Sequence, residues 1–201
     1  MSATKGLKLK NLELSEYNTD KFGFEGLNYR DSYAFHFLPL EKDIKVFYEV
    51  GIYQGGSLEL WADLFPEALI VGLDIDPKCV STRKNVVVEK GDATDPVFLQ
   101  SIMDKYGKPD VFLDDASHLS SHMKKTFEIM YPHTKLLYCI EDLCTQYPGA
   151  WGGQFCDDGK SMVEYLFQMV HANNAFPGYD GNYNQICFNK SQAYIYKKKL
   201  A

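Results

Sequence analysis

The stretch Val46-Phe47-Tyr48-Glu49-Val50-Gly51-Ile52-Tyr53-Gln54-Gly55-Gly56-Ser57 decides how this chain folds. Its apolar, β-branched and aromatic start predicts a strand over 44–50. Glycines at 51, 55 and 56 let the backbone turn tightly and approach a ligand. Leu58, Trp61, Leu64 and Phe65 then recur at helical spacing, predicting a helix over 57–65 that Ser57 is placed to cap. The turn differs from the dinucleotide fingerprint, since Tyr53 stands where the middle glycine would be, and no Walker-type lysine follows. A pyrophosphate cradle is not indicated.

The same alternation continues outward. Further strands are expected at 69–75, 86–90, 110–114, 136–141, 184–188 and 192–197, with helices at 95–106, 119–131 and 159–172. Asp95-Pro96 supplies a cap and a first-turn proline, and Gly107 closes that helix. Asp76-Pro77 reads as another helix start. Strands separated by helices imply a parallel sheet with right-handed crossovers. The last two runs are separated only by Asn189-Lys190-Ser191, which is hairpin spacing, so an antiparallel pair closes the sheet. The chain reads as one α/β domain over 1–201, with 1–42 as a cap over the ligand and 43–201 as the core. Residues 148–158 and 176–183, rich in glycine and aromatics, are expected to be substrate-covering loops.

Composition narrows the function classes. With 45% hydrophobic and 24% charged residues, the chain is that of an ordinary globular protein. Its net charge of −6 disfavours a nucleic-acid partner. No apolar stretch is long enough to span a bilayer, so membrane insertion is not expected. Five cysteines without a CxxC or a scaffold spacing fit a reducing compartment, expected to be the cytoplasm. A homo-oligomer and a longer parent polypeptide are both compatible with the sequence.

Acidic residues stand at the carboxyl ends of five successive predicted strands: Glu49, Asp74, Asp92, Asp114-Asp115 and Glu141-Asp142. Open α/β sheets bind ligands at that edge. Asp74 is placed to take a ribose hydroxyl pair, and Asp92 to accept from an adenine amino group. Glu49 ends a very apolar strand and needs a polar or cationic partner; a cofactor carrying an amino group and a sulfonium would supply one. Asp114 and Asp115 point to opposite faces of an extended chain, so one faces the cofactor while the other faces a metal. Clustered carboxylates repel one another, and a hard divalent ion such as magnesium relieves that repulsion. His118 lies three residues beyond Asp115 and is the candidate imidazole of the site. His118 and His122 lack the glutamate of a zinc helix, and His122 reads as a surface or supporting residue. His36, among aromatics, reads as a hydrogen-bonded packing residue.

Glu49-Val50-Gly51 through Gly55-Gly56-Ser57, Gly72-Leu73-Asp74, Gly91-Asp92, Asp114-Asp115-Ala116-Ser117-His118 and Ile140-Glu141-Asp142-Leu143 together resemble class I S-adenosylmethionine-dependent methyltransferases. The resemblance is narrower with the magnesium-dependent sugar O-methyltransferases of macrolide biosynthesis and the related cephalosporin hydroxylase-like proteins, and runs from Thr19-Asp20-Lys21 to the terminal hairpin. It implies a Rossmann-like sheet of seven strands, S-adenosyl-L-methionine and Mg2+ or Mn2+ as cofactors, and a vicinal-diol sugar or glycoside as acceptor. It further implies Asp115, Glu141 and Asp142 as metal ligands and His118 as general base. Glu49, Gly51, Tyr53, Gly55, Ser57, Asp74 and Asp92 would line the cofactor site, with Asp114 at its inner edge. The segment before the first strand is shorter than is usual in that family, so a more open site, suited to a rhamnose-like residue of a glycan, is expected. A catechol-type O-methyltransferase would use the same metal, with Tyr147, Trp151 and Phe155 against an aromatic ring. A noncatalytic binding domain on the same scaffold is the alternative of another class.

Overall fold

A computed structural model describes residues 17–22, 29–148, 155–175 and 183–197 of the chain. Seven strands form one sheet in the order β3-β2-β1-β4-β5-β7-β6. They are β1 (Val46–Val50), β2 (Leu69–Asp74), β3 (Val86–Lys90), β4 (Val111–Asp114), β5 (Leu137–Ile140), β6 (Tyr183–Asn189) and β7 (Gln192–Lys197). The first five are parallel, and β7 inserts antiparallel between β5 and β6. The helices are α1 (Arg30–His36), α2 (Gly56–Leu64), α3 (Pro96–Tyr106), α4 (Ser120–Met130) and α5 (Met162–Ala175). The expected loops at 148–158 and 176–183, with Trp151, fall largely outside the described residues.

Sheet register sorts the side chains between two cores. Val50, Asp114, Ile140 and Ala193 are successive partners across four strands. They share a face, and the three apolar ones pack with Leu99 and Ile102 of α3, Phe127 of α4 and Leu166 of α5. One residue back, Glu49, Leu113, Cys139 and Tyr194 form the opposite row. Leu113, Cys139 and Tyr194 pack there with Tyr33 of α1, Phe37, and Leu58 and Trp61 of α2. Trp61 stacks on Phe47 at 5.2 Å and meets Tyr33 edge-on at 5.0 Å. Each fully buried large side chain of this kind contributes roughly 1.5–3 kcal/mol. Asp115 and Glu141 lie one step beyond Asp114 and Ile140 and return to the face of Glu49. Three carboxylates are thereby delivered to one face by alternation alone.

Two local expectations are corrected, and one helix is added. Ser57 does not cap α2: Gly55, in the left-handed conformation at φ 81°, holds the N-cap position, and the Ser57 hydroxyl donates to Glu49 at 2.8 Å. No helix starts at Asp76-Pro77. The Asp74 carboxylate takes the Asp76 N–H at 2.8 Å, folding the chain into a turn, and Asp76 pairs with Lys78 and with Lys90. Helix α1 falls inside the stretch expected to be a cap over the ligand, where no helix was assigned from sequence. Its signal is the spacing Tyr29, Tyr33, Phe37, all buried.

Candidate active site

The carboxyl edge of the sheet divides at β4. On one side a cavity of about 260 Å³ is lined by Gly51, Asp74, Asp92, Asp114, His122 and Met123, among others. Its acids are held by nearby backbone. Asp74 accepts from the N–H of Ile52 at 3.0 Å and of Asp76 at 2.8 Å. Asp92 accepts from Thr94 N–H at 2.8 Å, and that bond holds its carboxyl below the usual range. Asp114 is buried, with the Tyr138 hydroxyl at 3.3 Å; burial pushes it up to about 7. Gly51 sits at φ 83°, and a Cβ there would stand 2.0 Å from the Asp115 carbonyl oxygen. Only glycine lets the first turn close against the end of β4. Tyr53 is exposed at the tip of that turn, and Gly55 lines a separate hollow of about 240 Å³ with Gln54 and Cys79.

Glu49 and Ser57 lie under this turn rather than in the 260 Å³ cavity. Glu49 is fully buried, and one of its oxygens accepts from Ser57 and, at 3.1 Å, from the Trp61 indole. Its other oxygen has no hydrogen bond and faces the Lys21 ammonium at 3.4 Å. Within the protein, Glu49 thus has a hydroxyl, an indole and an ammonium as neighbours.

On the far side of β4, Lys21 organises the acids. Its buried ammonium lies 2.5 Å from Asp115 Oδ2 and 2.6 Å from Glu141 Oε2. Burial opposes its charge, but Asp115, Glu141 and Glu49 outweigh that and hold it well above the ordinary lysine value. Glu141 Oε1 accepts from the Tyr33 hydroxyl and from Gln192 Nε2 at 2.9 Å. Asp142 takes the Tyr29 hydroxyl at 2.6 Å and faces His118 Nε2 at 3.7 Å. Both His118 and Asp142 adopt left-handed backbone, φ 59° and 54°, which turns their side chains inward at the two strand ends. Burial holds the His118 imidazole below its ordinary value, with Asp142 opposing, and its Nδ1 is buried without a hydrogen bond.

Donor atoms of Asp115, His118 and Asp142 lie within 4.8 Å of one another. Burial, the first cause, and the neighbouring carboxylates push Asp115 and Glu141 up despite Lys21. The Lys21 ammonium meets three carboxylates, those of Glu49, Asp115 and Glu141, and Asp142 stands beside His118 as a fourth acid. An oxygen-rich donor set short of positive charge, with an unpaired imidazole nitrogen beside it, fits a hard divalent ion. Lys21, Tyr29, Tyr33 and Gln192 were not singled out from sequence as site residues. Gln192 follows from register, standing opposite Glu141 once β7 pairs with β5. His122 bonds Ser117 at 2.9 Å on the cavity wall, and Phe155 meets His118 edge-on at 6.2 Å. His36 stacks on Tyr194 at 3.7 Å and bonds the Tyr196 hydroxyl at 2.7 Å, the packing role expected of it.

Strand order, the glycine turn after β1 and the acids ending β2, β3 and β4 define a class I methyltransferase fold. Comparison with known proteins narrows this. No protein-family profile matches the chain. It is 36% identical over 162 residues to demethylmacrocin O-methyltransferase of Streptomyces fradiae, covering 76% of this chain and 40% of that protein. With mycinamicin VI 2''-O-methyltransferase of Micromonospora griseorubida it shares 35% identity over 149 residues, 70% of this chain and 37% of that one. The solved MycE methyltransferase of the mycinamycin biosynthetic pathway, in complex with Mg, SAH and mycinamycin VI, superimposes with a TM-score of 0.79. That match has 30% sequence identity and covers 94% of this chain and 53% of MycE. The chain is thus similar in sequence and fold to these O-methyltransferases, and it spans about two fifths of the length of the curated relatives it matches.

Proposed function

We propose that this chain transfers the methyl group of S-adenosyl-L-methionine to a hydroxyl of a vicinal-diol sugar, in a reaction that requires Mg2+ or Mn2+. The observation that carries the reading is the adjacency at β4. Asp114 borders the nucleoside-sized cavity while Asp115, on the next residue, joins His118 and Asp142 on the other side. Donor and acceptor sites back to back across one strand end are what in-line methyl transfer needs.

In this reading Asp74 takes the ribose hydroxyls, Asp92 the adenine amino group, and Asp114 closes the inner edge. Gly51, Tyr53 and Gly55 form the turn beside the cofactor, while Ser57 and Trp61 hold Glu49 beneath it. Asp115, Glu141 and Asp142 hold the metal, whose chemistry is to lower the acceptor hydroxyl's pKa and stabilise developing alkoxide charge. His118 Nε2 removes the hydroxyl proton, a role that its preference for the neutral state at pH 7 supports. The proposed division into a cap at 1–42 and a core at 43–201 of one domain falls partly outside the described residues, which within 1–42 are 17–22 and 29–42. Among the described residues no helix is long and apolar enough to cross a membrane, and a cytoplasmic enzyme is consistent with that.

Calorimetric titration tests the reading: S-adenosyl-L-methionine into metal-free protein, repeated with Mg2+, then with methyl rhamnosides and other glycosides. Cofactor binding, together with metal-dependent binding of a vicinal-diol glycoside, is expected. Binding of catechols in preference to sugars would replace the acceptor class. Absence of cofactor binding under every condition would leave a noncatalytic scaffold.

A further inference from the structure

Lys21 is the buried cation among the described residues that nothing in the proposed chemistry employs. Its ammonium touches carboxylate oxygens from three strand ends: Glu49 after β1's apolar run, Asp115 after β4 and Glu141 after β5. Two of these residues belong to the metal-ligand set inferred above. The lysine is carried by a short strap that packs over the glycine turn. A Cβ on Gly56 would stand 2.1 Å from the Asn18 carbonyl oxygen, and the Tyr17 hydroxyl donates to Asp63 at 2.7 Å. The strap therefore spans from the cofactor turn to the carboxylate cluster.

We propose that Lys21 is a built-in counter-cation of the metal-free site, which a divalent ion displaces from Asp115 and Glu141, so that metal binding is coupled to the seating of the strap over the cofactor turn. This rests on the divalent-ion reading of the site. The physical basis is competition. Without an ion, buried carboxylates that lie on one sheet face need a cation to remain folded and charged, and Lys21 supplies it. With an ion seated against the same oxygens, the ammonium becomes a like charge a few ångströms away and must withdraw. The strap moves with it, because Lys21 is within three residues of the Asn18 backbone that covers Gly56.

The test is Mg2+ titration of the wild-type chain and of Lys21→Met, which keeps the aliphatic length and removes the charge. Lys21→Met is expected to bind Mg2+ about tenfold or more tightly, because a competing charge is gone. Its metal-free melting temperature should fall below wild type, and the gap should close at saturating Mg2+. A lysine that merely supports the fold would lower the melting temperature without tightening the ion, and Mg2+ affinity equal to or weaker than wild type would overturn the proposal. If Lys21→Met does not fold without metal, hydrogen exchange of wild-type residues 17–22 decides. Faster exchange on adding Mg2+ supports displacement, whereas unchanged or slower exchange at saturation refutes it. Should neither chain bind a divalent ion, this inference falls together with the metal assignment, while the S-adenosyl-L-methionine titration still stands alone. If the wild type binds Mg2+ and Lys21→Met binds it no tighter, only the role of Lys21 is lost.

Discussion

The two halves of the candidate site hold their carboxylates in different ways. On the cavity side, Asp74 and Asp92 accept backbone N–H bonds from residues two positions along the chain, and Asp74 also takes one from the first turn. On the other side, Asp115, Glu141 and Asp142 are held by side chains from far away in sequence: Lys21, Tyr29, Tyr33 and Gln192. Local backbone bonds hold these acids at the border of the cavity, which suits recognition of hydroxyl and amino groups. Long-range contacts bury Glu141, keep Asp115 and Asp142 half-buried, and leave the set short of positive charge, which suits a metal. The contrast teaches that acids of similar appearance in the sequence are prepared for different partners by what else the fold brings to them.

That contrast can be broken most strongly at His118. His118→Asn, chosen because asparagine tolerates left-handed backbone, is expected to lower turnover by about 10²–10⁴-fold. S-adenosyl-L-methionine affinity measured by calorimetry should change little. An equal loss in both would mean that His118 belongs to the cofactor half and is not the base. Next in size is Glu141→Ala, which removes one of the three carboxylates around the buried ammonium and leaves the Tyr33 hydroxyl and the Gln192 amide without their acceptor. A loss of about 3–5 kcal/mol in denaturant unfolding is expected; a near-neutral change would show that the long-range set is not what holds this half together.

A third test sharpens the boundary of the buried half. His36, stacked on Tyr194, has its pKa lowered by burial to about 4. The unfolded chain therefore binds the proton more readily, so stability is fully present above about pH 6.5 and falls as pH drops toward 4. The loss attributable to His36 should reach about 3 kcal/mol. His36→Phe keeps a ring for the stack, and its unfolding free energy should lack that portion of the acid slope. Parallel pH profiles for the two proteins would show that His36 does not titrate differently on folding. The smallest effect is expected at Asp92. Asp92→Asn removes an exposed acid from the open half, where stability should change by less than about 0.5 kcal/mol. Its cofactor affinity should weaken, and a loss of stability comparable to that of Glu141→Ala would erase the distinction between the halves.

Much of this molecule was determined by sequence alone. Alternating periodicity placed the strands and four of the five described helices, because a strand run such as Val46–Val50 and a helix stripe such as Leu58, Trp61 and Leu64 are local patterns fixed by backbone geometry. The acids at the strand ends were legible for the same reason, as was the division of Asp114 from Asp115 by alternation. Tertiary structure alone decided what meets those acids. Whether Ser57 would cap a helix or hold Glu49 depends on how closely α2 approaches β1. Lys21 lies 94 residues from Asp115 and 120 from Glu141. No periodicity links residues so far apart, and only packing of the strap and α1 against one face of the sheet brings the ammonium to carboxylates that alternation had already gathered there.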